Sequence, residues 1–158
     1  MLAQSGMGAS TLAAGCLFCQ VAAGETPAEV VLDEADVVAF LDIRPVFLGH
    51  VLVVPRTHVE TLTDLPSASV GPFFGAVQRV AGAVEAAMGA HGTFVANNNR
   101  VSQSVAHLHV HVVPRRFKDG LRGFMWPRQR YPDDAAMAAT GDAIRQALSG
   151  SCGPSRGA

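Results

Sequence analysis

The chain has one tryptophan, one tyrosine and three cysteines in 158 residues, and only 16% of it is charged. Twelve Lys and Arg stand against thirteen Asp and Glu. No block of about five or six like charges occurs, so the chain carries no electrostatic footprint for duplex nucleic acid. No apolar run reaches the ~18–20 residues of a membrane span. The opening, MLAQSGMGASTLAAG, lacks the basic start and solid apolar centre of a signal peptide. An odd cysteine count (Cys16, Cys19, Cys152) does not suit a disulfide framework. These absences point to a reducing, cytoplasmic setting, with neither membrane nor nucleic acid as partner.

What is present is apolar. Hydrophobic residues make up 49% of the chain, enough to bury a core. The expectation is one domain over residues 16–148, a flexible arm over 1–15 and a flexible tail over 149–158. CLFCQVAAG reads as one short helical turn closed by Gly24. EVVLDEADVVAFLDI reads as two strands around a turn at Asp33–Asp36. HVLVVPRTH is a strand that Pro55 ends, because proline has no N–H for the ladder. In LPSASVGPFFGAVQRVAGAVEAAMGAHG, Phe73, Val77, Val80, Val84 and Met88 recur at helical steps. Ser67 or Ser69 is expected to cap that helix, and Gly89 or Gly92 to end it. TFVAN and VAHLHVHVVPR are two more strands, and DDAAMAATGDAIRQAL is a C-terminal helix with aspartates in its first turn. Short links between strands favour antiparallel pairing. The fold class is therefore α+β: an antiparallel sheet of about five strands, one long helix, a short N-terminal helix and a C-terminal helix.

Three of the six histidines stand at alternate positions in SVAHLHVHVVPRR. On a strand His107, His109 and His111 share one face, while Leu108, Val110 and Val112 point the other way. Histidine is not a favoured strand residue, and buried imidazoles need partners. A surface strand that happens to be rich in histidine is one reading. A metal site is the second, since His-x-His can chelate zinc. The third is a phosphate site with a histidine nucleophile. Ser102, Gln103 and Ser104, just upstream, supply donors that suit phosphate oxygens. Asn97, Asn98 and Asn99 read as turn residues or as further donors.

The run QSVAHLHVHVV resembles the signature of the histidine-triad superfamily, and FLDI, GHVLVVP and RTH follow the order found in its bacterial members. The likeness covers roughly residues 16–116. It implies a nucleotide hydrolase or nucleotidyl transferase with a histidine-triad fold, acting on purine nucleotides as a homodimer. The resemblance gives His109 the nucleophile's place. It puts His111, Gln103 and Ser104 on phosphate, Asp42 on the ribose, and Phe18, Leu41 and Ile43 around the base. Asn98 matches its active-site asparagine, with Asn97 and Asn99 as alternatives, and His58 a histidine that supports the triad. The phosphate loop departs from the pattern: Arg100 and Ser102 stand where glycine is common, and Ala106 replaces a bulkier residue.

CLFC alone is compatible with a redox pair, half a zinc site or two packed thiols. Several bacterial histidine-triad proteins that the chain resembles hold a structural zinc. Carried over, the ligands are Cys16, Cys19, His50 and His107, and the chemical step itself needs no metal. RRFKDGLRGFMWPRQRY carries six basic residues: Arg115, Arg116, Lys118, Arg122, Arg128 and Arg130. It reads as a solvated loop or as a wall that attracts a polyanion. MWPRQ, around Trp126, is similar to the tryptophan-proline of the family's phosphoramidase branch, where the C-terminus shapes the partner's site.

Overall fold

Alternation along two central strands decides the architecture. In β2 (Val37–Leu41), Val37 and Ala39 face one side of the sheet while Val38 and Phe40 face the other. In β3 (Val51–Pro55), Val51 and Val53 go with the first set, Leu52 and Val54 with the second. Both faces are therefore covered, and these strands read as continuous apolar runs. With β1 (Val30–Asp33), β4 (Gly92–Asn97) and β5 (Val110–Arg115) they form one antiparallel sheet in the order β1-β2-β3-β5-β4. The structure, a computed structural model, describes residues 15–121 and 129–150.

One face is covered by α2 (Ser67–Met88), whose Phe73, Val77, Val80 and Val84 pack on Val51, Val53, Val110 and Val112. The expected serine caps are absent: Pro66 is the N-cap residue and no side chain caps the helix. At the other end Gly89 adopts φ 56° and closes the helix as expected. Arg116 then donates to the carbonyls of Met88 and Gly89, the latter at 2.7 Å. This basic residue completes the helix end, and Arg115 is paired with the Asp119 carboxylate.

The opposite face is covered by α1 (Leu17–Ala22), whose Phe18, Val21 and Ala22 pack on Val38, Phe40, Leu52 and Val54. Arg56 ties this short helix down by donating to Ala22 O, to Glu34 O at 2.8 Å and to the Asp33 carboxylate. The triad lies on this side, next to α1.

The described residues fall into two compact units, one up to Asp119 and one from Gly120 onward. The second contains α3 (Asp134–Gly150), whose start is capped by Asp133, Oδ1 accepting the Ala136 N–H at 2.7 Å. Trp126, Arg122, Arg128 and Cys152 lie outside the described residues, as do the expected arm up to residue 14 and nearly all of the expected tail.

Candidate active site and metal centre

The three histidines alternate as read, but only His111 belongs to a regular strand; His107, at a bend, and His109 precede β5. Leu108, Val110 and Val112 are buried beneath α2. The imidazoles emerge on the α1 side, where His111 stands opposite Leu52 of β3. They are not a surface row. His107 and His109 are buried and His111 is half-buried, so each needs partners, and each finds a different one.

His107 donates from Nε2 to Pro55 O at 2.8 Å. That leaves Nδ1 as the lone-pair nitrogen, 3.4 Å from Cys16 Sγ and 3.5 Å from Cys19 Sγ. His58 brings its own Nδ1 to 3.4 Å from Cys19 Sγ and packs edge-on against His107, ring centres 5.0 Å apart. One donor atom from each of Cys16, Cys19, His58 and His107 lies within 4.8 Å of the others. Two sulfurs and two nitrogens at these separations surround a point that suits tetrahedral zinc, with bonds of about 2.3 Å to sulfur and about 2.0–2.1 Å to nitrogen. The Pro55 carbonyl behind His107 is the support a ligating imidazole needs. Burial also keeps His107 uncharged, lowering its pKa to about 4, with His58 and His109 adding to the effect and the Pro55 carbonyl opposing it.

His50 is not in this cluster, contrary to the ligand set expected from sequence, and His58 takes its place. The reason is strand direction. His50 precedes β3 and His58 follows it, and β3 runs antiparallel to β5. The start of β3 therefore lies beside His111 and its end beside His107. Gly49, at φ 91°, turns the chain into His50, and a Cβ there would come within 2.7 Å of Met88 Cγ.

His50 and His111 form the second pair, Nε2 to Nδ1 at 3.0 Å. Val46 N–H donates to His50 Nδ1 at 3.3 Å, and Asp42 Oδ2 lies 3.5 Å from the same nitrogen. With Nδ1 accepting, His50 donates from Nε2 to His111 Nδ1, and His111 presents Nε2–H outward. Burial is the main cause that keeps this pair uncharged. His111 is lowered to about 4, with His109 and His50 adding to the effect and Asp42 opposing it. His50 is lowered as well, with Asp42 again opposing.

His109 stands between these two assemblies. Its Nδ1 donates to His107 O at 2.7 Å, so Nε2 carries the lone pair. Its ring meets Phe18 edge-on at 5.2 Å and His111 at 4.9 Å. His109 and His111 line a cleft of about 220 Å³ together with Phe18, Leu41, Asp42, Ile43 and Ser104. The structure thus gathers seven of the residues selected from sequence around one cavity. Val105, Thr26, Pro27 and Ala28 also line it; nothing in their residue types marks them beforehand.

Gln103 and Asn98 are not among that lining. Gln103 accepts from Arg100 N–H at 2.6 Å and donates to Glu60 O at 2.7 Å and His107 O at 3.4 Å, which makes it a strut of its own loop. Arg100 and Ser102 adopt φ 65° and 58°, a conformation that glycine enters without cost. Asn98 is half-buried and donates to Ser102 O at 3.4 Å. The asparagine tied to the triad is Asn97, which donates to His109 O at 2.8 Å, while Asn99 accepts the Leu62 N–H. Which of three successive asparagines does this depends on the β4–β5 register, which residue type does not reveal.

The HIT domain family model matches residues 23–118. An uncharacterised HIT-like protein of Mycobacterium tuberculosis is 39% identical over 138 residues, 84% of this chain and 92% of its own length. Adenosine 5'-monophosphoramidase of Saccharomyces cerevisiae is 30% identical over 120 residues, 76% of this chain and 75% of its own. A crystal structure of a zinc-bound histidine triad family protein from Mycobacterium smegmatis matches with a TM-score of 0.65 and 36% identity. It covers 82% of this chain and 97% of its own.

Proposed function

The chain belongs to the HIT (histidine-triad) family, and from that premise we propose that it is a nucleotide hydrolase or nucleotidyl transferase. It cleaves purine nucleotide phosphoanhydrides or phosphoramidates through a covalent intermediate on His109. The observation that carries this reading is the 2.7 Å bond from His109 Nδ1 to His107 O, which assigns the lone pair to Nε2 on a side chain that lines the cleft. That lone pair forms a bond to the α-phosphorus while the bond to the leaving group breaks. A phosphate leaving group departs with the bonding pair and takes a hydrogen bond from His111 Nε2–H, while an amine leaving group departs with the bonding pair and takes that proton, which solvent then restores to His111. Water then attacks phosphorus, the P–N bond returns its pair to His109, and the water's proton leaves with the product or to solvent. Fixed donors and a fixed nucleophile supply most of what such a displacement requires.

Phe18, Leu41 and Ile43 take the base, Asp42 the ribose and Ser104 a phosphate oxygen. Gln103 joins them only if substrate draws it from its loop. Asn97, through the His109 carbonyl, replaces Asn98 as the asparagine that holds the triad. Cys16, Cys19, His58 and His107 hold a structural zinc. Four protein ligands leave no open position on it, so the metal fixes α1 and His107 and takes no part in the chemical step. The adenosine monophosphoramidase relative supports adenosine phosphoramidate as one substrate class. Dinucleoside polyphosphates are the other. We place the protein in a reducing, cytoplasmic setting and expect a homodimer. Among the described residues no helix is long and apolar enough to cross a membrane.

The test is turnover of adenosine phosphoramidate and of diadenosine tri- and tetraphosphate by wild type beside His109→Ala. A rate on any of them that falls roughly a thousandfold in the variant, with the fold intact, supports the reading. Equal rates would end it. A nucleotide-binding module with negligible turnover is the second reading, and the Gln103 strut favours it. It requires AMP to bind while none of the three substrates is cleaved.

A further inference from the structure

We propose that Asp42, His50 and His111 form a second, exchangeable site for a transition-metal dication of the zinc class, distinct from the cysteine cluster. One donor atom from each lies within 4.8 Å of the others. His50 Nε2 and His111 Nδ1 are 3.0 Å apart with a single proton between them, and a metal ion can replace that proton. The displaced proton moves to His50 Nδ1, which then donates to Asp42 Oδ2, 3.5 Å away, and no longer accepts from the Val46 N–H. Asp42 is then able to orient the imidazole or to turn its oxygen onto the ion, and in both roles it offsets charge.

The donor set argues for class. Two imidazoles and one carboxylate suit zinc, cobalt, nickel or copper, and offer too few oxygens for calcium or magnesium. The two groups differ in access. Cys16, Cys19, His58 and His107 make up a closed set of four. Asp42 and His111 line the cleft, so this ion enters from solvent, keeps an open position for water and leaves again.

Two consequences follow from position. His111 Nδ1 is taken by the metal, and Asp42 is no longer available to a ribose. On the nucleotide reading above, metal and nucleotide therefore exclude each other, and free zinc-class metal inhibits turnover competitively. The metal site itself stands on the geometry and does not need that reading.

The experiment uses the full chain with one equivalent of zinc already bound, titrated with Co(II) and no nucleotide. The expected result is a second equivalent whose visible spectrum lacks thiolate charge-transfer bands. Its affinity falls more than about tenfold in His50→Gln and in His111→Asn, and it is unchanged in His91→Gln. Circular dichroism checks that each variant folds; His111, half-buried at the cleft, serves if His50→Gln does not. No second equivalent, or one that both variants retain, overturns the proposal. AMP added to the cobalt-loaded protein is expected to release the ion. Cobalt that stays while AMP is bound overturns the exclusion. AMP that does not bind at all counts against the nucleotide reading and leaves the metal site supported.

Discussion

His107, His109 and His111 are chemically identical and differ in what their second nitrogen touches. A backbone carbonyl fixes His107 with Nδ1 toward the thiols, another fixes His109 with Nε2 unprotonated, and His50 fixes His111 as a donor. The alternation was legible in sequence, because period two is a property of any extended chain. The partners were not, since they come from Pro55 and His50, 52 and 61 residues away. The exchange of His50 for His58 has the same origin: reading the histidines in chain order ignores that β3 runs against β5. Burial of His111 has a pH consequence. Its folded pKa of about 4 lies below the ordinary value of 6.5, so between these values the unfolded chain binds the proton more readily. Its contribution to stability is complete above pH 6.5 and is lost as pH falls toward 4. Urea midpoints are expected to drop over that window, and less so in His111→Asn. An equal drop in both proteins would contradict this account of the residue.

At the scale of elements, α1 is too short to be stable alone. Six residues with no side-chain cap rely on burial of Phe18 and Val21, on Arg56 and on the cysteine cluster. Cys16→Ser is therefore expected to lower zinc content and the melting temperature while leaving a residual rate, because His109 stays on its own segment. Zinc analysis beside a thermal melt checks this, and a variant with full zinc and an unchanged melt would contradict it. Slow loss of fold in excess chelator should accompany it in the wild type. On the other face, Leu108 is fully buried beneath α2, and Leu108→Ala is expected to cost about 2–5 kcal/mol in urea unfolding. The apolar face of α2 was legible from its spacing. Its start was not, because serine is a common cap that Pro66 pre-empts here, and neither was the strut at Gln103. That strut depends on Arg100 and Ser102 holding positive φ, which a sequence predicts only for glycine.

For the whole molecule, the five strands and three α-helices of the described residues were legible because the central strands are short apolar runs with turn residues at their ends and the helices show helical spacing. The boundary between the compact units at Asp119 carries no signal in RRFKDGLRG, whose composition is that of an ordinary loop. In the sheet, β4 is an edge strand, and Val95 on it is 43% exposed. An edge strand with an exposed apolar residue is an invitation to pairing. Analytical ultracentrifugation is expected to give twice the chain mass, and a monomer at micromolar concentration would contradict the homodimer.

The central claim, that His109 becomes covalently nucleotidylated, is tested most directly by intact-protein mass spectrometry of samples quenched in alkali during turnover of adenosine phosphoramidate. The account predicts a species heavier by one adenylyl group, mapped by peptide sequencing to His109 and missing in His109→Ala. Turnover with no adduct at early quench times, or an adduct on another residue, would contradict it.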